Sequence, residues 1–228
     1  MASRASDSAE AAAGVADQLT ALAREQGSAA HPYATVKLSS AAPHAARDLA
    51  DAAHYLCTLH GRHPGVVDLA IERAVPAPAP ASVRDWAEAA VAGFARERAY
   101  LTRIVVAAGP IPSTAGQAES EAAVIGQRHA LEMLASSDRA GCALGAAMAL
   151  VLDWRVVRRA LDAAARRFSV DSPVCLLPTA EATGEAAAAV ADEPRIERAL
   201  LFGAQQILIQ QRGLWDLLES RHRARHGS

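Results

Sequence analysis

The sequence predicts an all-α fold: a single helical bundle of about six to seven helices, in which four long helices form the main core. Three observations predict it. Alanine, the strongest intrinsic helix former, supplies roughly a quarter of the 228 residues. Apolar residues recur at helical spacing through most of the chain, and no alternating strand pattern of useful length occurs. Glycine and proline fall between the periodic stretches, as helix stops and turns.

The elements follow in order. Ser8 to Gln26 carries Val15, Leu19 and Leu22 on one face and stops at Gly27. His31 to Ser40 reads as an extended connector, with Tyr33 to Leu38 as a strand lacking any partner. A helix from about His44 to His60 presents Leu49, Ala53 and Leu56, and His63-Pro64-Gly65 breaks it before a short helix over Val66 to Arg73. Pro76 to Pro80 is a stiff spacer. Ser82 then caps a long helix to Ala108, which Gly109-Pro110 ends. The next helix covers Thr114 to Ser136, with Ser113 or Thr114 as its cap. Asp138 opens another that is apolar nearly all round as far as Leu152, the pattern of a helix in the middle of a bundle. Ala180 to Val190 is helical by propensity, and Pro194 to His222 forms the last helix, with Ile196, Leu200, Gly203, Ile207, Leu214 and Leu218 as its core stripe. The resulting organisation is a peripheral N-terminal helix (1–30), a connector with a broken helix pair (31–75), a spacer (76–81), the main bundle (82–222) and a disordered tail (223–228).

Composition excludes several function classes. The chain is 51% hydrophobic and 21% charged, too apolar for a disordered polyelectrolyte. A net charge of -2 gives no broad surface for a phosphate backbone, so no nucleic acid is expected. Lys37 is the only lysine. That bias toward arginine, with the Ala, Gly and Pro content, reads as the mark of a GC-rich bacterial genome. Cys57, Cys142 and Cys175 are odd in number and far apart, which argues against a disulfide framework. The N-terminal alanines are interrupted by Asp7, Glu10 and Asp17 before a signal-peptide core can form, and the most apolar run, Ala140 to Leu152, is too short to span a bilayer. A cytoplasmic location and no membrane partner are expected.

Candidate functional residues are polar groups standing where apolar ones would cost less. Stepping about 100° per residue, Trp86, Ala90, Gly93, Leu101 and Ile104 share a face with Glu97 at its centre. A carboxylate there needs an ion pair from another helix, a metal or a ligand, because burying an isolated charge costs several kcal/mol. Gln210 lies in the last helix's stripe and Gln211 on its edge. Both are expected to bridge helices or, with Glu97, to line a ligand pocket. Arg128 and Glu132 form an i, i+4 pair beside His129, which reads as a surface residue. His60 shares an apolar face and lies near His54 and His63 at a helix end, where imidazoles suit the dipole or a metal.

Core-facing carboxylates and histidines on long helices resemble the ferritin-like carboxylate metal proteins, which place a Glu on each of two helices and Glu-x-x-His on each of two others. Glu97 and Glu121 occupy the single-glutamate role, and Glu219-Ser220-Arg221-His222 is the chain's only Glu-x-x-His. The resemblance implies iron or manganese held by Glu97, Glu121, His129 or His60, and a metal-dependent oxidoreductase activity. No nucleophile elbow, phosphate loop or dinucleotide fingerprint occurs. The leading expectation is a helical bundle that binds a small ligand or a protein partner. The metal-dependent oxidoreductase and a helical adaptor or oligomerisation module are the alternatives. Whether the chain is an enzyme is left open by the sequence.

Overall fold

A computed structural model describes residues 2–38, 45–75 and 77–226, and within them the chain is entirely helical apart from turns and loops. The helices are α1 (Ala2–Gln26), α2 (Ala45–His60), α3 (Val66–Ala74), α4 (Ala81–Ala108), α5 (Gln117–Ala135), α6 (Cys142–Arg167), α7 (Ala180–Val190) and α8 (Pro194–His226). The eight α-helices among the described residues slightly exceed the expected six to seven. No helix among the described residues is long and apolar enough to cross a membrane.

The all-round apolar run forms the axis of the molecule. Every residue of α6 from Cys142 to Val151 is buried, and α8 is its most extensive neighbour. The two backbones come unusually close. A Cβ on Gly145 would stand 2.0 Å from the Leu200 carbonyl oxygen, and one on Gly203 would stand 1.9 Å from that of Cys142. Only glycine permits this crossing, since interiors are packed to crystal density. α1, α2, α3, α4, α5 and α7 surround the α6–α8 pair, and the apolar core runs through all of them without a break.

Several expectations need correction. The connector after Gly27 is not extended: Ser28–Ala30 forms a 3₁₀ turn and Tyr33–Lys37 a single turn of wider π helix, burying Tyr33, Ala34 and Leu38. The rest of that connector, residues 39–40, lies outside the described residues, as do 41–44, including the expected helix start at His44, and Pro76 in the spacer. α4 begins after Pro80 without a side-chain cap from Ser82, and α5 begins after Gly116 in a left-handed conformation, three residues later than Thr114. α1 is not peripheral where its side chains are described, because Val15, Leu19 and Ala23 pack into the core against α7 and α8. Residues 223–226 are not a disordered tail but the last turn of α8, held by ion pairs described below. Residues 227–228 lie outside the described residues.

Candidate functional site: two buried polar networks and a surface cleft

The first network grows from α6. Glu97 on α4 is 1% exposed, as its place on the apolar face predicts, and both its oxygens are engaged. Trp154 Nε1 donates to Oε2 at 2.9 Å and Arg158 Nη1 to Oε1 at 2.6 Å. The expected ion pair from another helix is therefore present, with Arg158 as the cation. Arg98 turns to Asp68 on α3, at 2.7 Å. Arg158 also donates to Asp162 Oδ1 at 2.8 Å and to the Pro173 carbonyl, and its guanidinium lies 4.4 Å from the centre of the Tyr100 ring. Burial pushes the Tyr100 phenol up to about 12. It stays protonated, donates to Asp162 at 2.8 Å and accepts from Ser172 at 2.8 Å. One arginine thus ties α4, α6 and the loop before α7 together.

A second branch of this network holds a carboxylate with no cation partner among the described residues. Asp153, 2% exposed, accepts from the Ser28 amide at 2.6 Å, the Ser28 hydroxyl at 2.5 Å and Gln211 Nε2 at 3.4 Å. Trp215 Nε1 donates to the same serine hydroxyl at 2.7 Å. Gln211 Oε1 faces His60 Nε2 at 2.8 Å, so that nitrogen carries the proton. The His60 ring stands edge-on to Trp154 with centroids 5.3 Å apart, which joins this branch to Glu97. Burial pushes Asp153 up to about 6, the three donors offsetting only part of the desolvation. Burial likewise pushes His60 down to about 4, against the opposing effect of the hydrogen bond it donates to Gln211. Gly27 allows the chain to hug Asp153: a Cβ there would stand 2.3 Å from its Oδ1.

The second network joins α2 to the end of α8. Arg221 meets Asp51 through two nitrogens, at 2.9 and 3.2 Å. Arg225 binds Asp51 and, at 2.6 Å, Asp48. His222 Nδ1 reaches Asp48 at 2.8 Å. Arg221 also donates to the Pro112 carbonyl at 3.3 Å, and Arg225 to Thr114 at 3.0 Å, so the α4–α5 connection is fastened as well.

The residues named from sequence are thus dispersed. Glu97 and Gln211 are buried with internal partners, and Gln211 contacts Asp153 and His60 rather than Glu97. Gln210 is the corrected residue: it is half-buried, outside the core stripe, because the buried face of α8 centres one residue later, on Ala204, Leu208, Gln211 and Trp215. His60 is buried on Gln211, while His54 bonds the Gly109 carbonyl at 2.8 Å. Glu121 is exposed and accepts from Gln117 at 2.9 Å, and His129 is exposed beside Glu132. Glu97, Glu121, His129 and His60 do not gather, and among the described residues no group of three or more His, Cys, Asp or Glu could hold a metal. The Glu-x-x-His is split, its His222 turned to Asp48 and its Glu219 to Arg223.

Sequence reasoning missed Ser28, Asp48, Asp51, Asp153, Arg158, Arg221 and Arg225. A signal existed for Arg221, which continues the Leu214 and Leu218 stripe, and for Asp153, which ends an all-apolar run.

Gln210 instead lines a surface cleft of about 370 Å³ between α5 and α8, with Met133, Leu134, Phe202 and Gln206. Met133 and Phe202 are 65% and 45% exposed. A second cleft of about 530 Å³, with Arg73, Asp138, Arg139 and Asp192 on its wall, lies across the α5–α6 turn, and Ser137 lines both. Among the described residues none of those four charges has an ion-pair partner, and Arg139 lies 5.6 Å from the centre of the Phe202 ring.

No curated protein and no solved structure matches the chain. Residues 23–226, which hold both buried networks and both clefts, match the model of the family of unknown function DUF6975, and the chain belongs to that family.

Proposed function

We infer that the protein acts by binding a small molecule in the cleft between α5 and α8. The observation that supports this is the pairing of exposed Met133 and Phe202 with two amides, Gln206 and Gln210, that make no side-chain hydrogen bond among the described residues. Large apolar side chains in water leave stabilisation of about 25 cal/mol per Å² unrealised. An apolar wall with a few uncommitted polar groups, at the lower end of the roughly 300–1,000 Å³ range, is the composition of a ligand cleft. No carboxylate lines it, and an amide both donates and accepts. The ligand class that fits is an apolar or aromatic body bearing a neutral hydrogen-bonding group.

Glu97 and Gln211 give this reading no support, since their polar atoms are spent inside the core. The ferritin-like reading has less in its favour, because its four residues lie apart. The free thiols of Cys57, Cys142 and Cys175 favour a reducing, cytoplasmic compartment.

A thermal-shift screen of small aromatic and aliphatic compounds, followed by calorimetry, tests the cleft. Compounds that raise the melting temperature saturably should lose about tenfold in affinity in Phe202→Ala and in Gln210→Ala. Hits indifferent to both substitutions, or no saturable hit, would remove the reading.

A further inference from the structure

We propose that Asp153, Gln211 and His60 form a proton-operated switch: when Asp153 takes a proton, the Gln211 amide turns over and His60 changes tautomer. In the structure every hydrogen bond along the line points toward Asp153. His60 Nε2 donates to Gln211, Gln211 Nε2 donates to Oδ2 at 3.4 Å, and Ser28 donates twice. A proton on the carboxyl group reverses the demand at one oxygen. Oδ1 keeps the Ser28 amide, because a backbone N–H can only donate. Oδ2 must then become a donor, and it faces the Ser28 hydroxyl and the Gln211 amide.

The hydroxyl is poorly placed to absorb the change. It already accepts from Trp215 Nε1, and accepting a second time would leave its own hydrogen without an acceptor among the described residues. The amide can reverse by a half-turn, presenting Oε1 to Asp153 and Nε2 to His60. His60 Nε2 must then accept, so the imidazole proton sits on Nδ1. The balance is one proton taken up at Asp153 and none gained or lost by His60.

The surroundings leave this event uncompensated. On the Ser28 and α8 side the titratable groups are His31 and Asp216, which face each other at 3.0 Å. On the α4 side Glu97 is held by Arg158, beyond Trp154. α1 carries Arg24 and Glu25, an exposed pair at 2.8 Å, the Gly27 that follows it lies against Asp153, and α2 brings His60 itself. The order of events fits as well, because Asp153 is pushed up to about 6 and His60 down to about 4. Between those values both are neutral, and a tautomer is there to observe.

Nitrogen-15 NMR of the His60 ring from pH 7.5 to 4.8 tests this in the full chain. The expected result is the Nε2–H form at pH 7.5, more than half converted to Nδ1–H at pH 4.8. In Asp153→Asn, whose amide donates like the protonated acid, Nδ1–H should dominate at every pH. In Gln211→Met the tautomer should be independent of pH. Persistence of Nε2–H across the range in the wild type would overturn the proposal, as would unfolding before any conversion. That titration decides the matter even if Asp153→Asn does not fold.

Discussion

Two regions of the interior bury carboxylates in opposite ways. At the foot of α8, Asp48 and Asp51 face Arg221 and Arg225, so charge is met by charge. At the middle of α6, Asp153 is met among the described residues only by an amide, a hydroxyl and a side-chain carboxamide. The contrast teaches what each arrangement can tolerate. A balanced ionic cluster keeps its charge, but removing one member strands another. A carboxylate solvated by dipoles strands no charge when neutralised, only a donor that must turn, and so is free to titrate.

Breaking the ionic cluster should therefore have the largest effect. Asp51→Ala leaves Arg221, 2% exposed, without its carboxylate and takes one of two from Arg225. Urea denaturation at pH 7 should show a loss of about 3–5 kcal/mol. Asp153→Asn strands no cation and should cost less, about 1–3 kcal/mol at pH 7, the cost of one mismatched donor. An equal loss in the two variants would erase the contrast.

The pH dependence sharpens it. Asp153 rises from 3.8 to about 6 on folding, so its contribution to stability is present below 3.8 and lost as pH rises through 6. His60 falls from 6.5 to about 4, so its contribution is present above 6.5 and lost as pH falls through 4. Each is worth about 3 kcal/mol, and between pH 6.5 and 4 they oppose each other. Relative to the wild type over that range, His60→Gln should gain stability on acidification and Asp153→Asn should lose it. Denaturation midpoints at pH 7, 6 and 5 measure both slopes. The smallest effect belongs to the surface: Glu132→Ala, which removes the half-exposed partner of Arg128, should cost only a few tenths of a kcal/mol.

Local features of this design are legible in the sequence and distant ones are not. The 100° step places Glu97 on a buried face, and the unbroken apolar run places α6 at the axis, because both follow from helix geometry alone. Gln210 and Gln211 lie one step apart, either side of the stripe's edge. Over a helix of 33 residues a small error in the stripe's centre exchanges them. The ionic cluster is invisible for a different reason. Asp51 and Arg221 are 170 residues apart in the chain, and only the packing of α2 on α8 tells a partner from a solvated end. Asp153 reads as the charge that ends an apolar run, because its donors come from α8 and from the turn after α1. The exposed cleft leaves no periodic trace, since Met133 and Phe202 lie off the stripes that periodicity detects.

α8 serves both regions, and a helix is also a ruler. Gln211 at the titrating carboxylate and Arg221 at the ionic cluster are ten residues apart, about 15 Å along one rod. The rod can neither stretch nor turn at one end alone, so the spacing between the two sites is fixed by residue count. One residue inserted between Arg212 and Ser220 would rotate everything beyond it by about 100° and carry both arginines off α2. Four would nearly restore the facing but overshoot by about 6 Å. The length of that segment is therefore as much a part of the fold as the identity of its side chains.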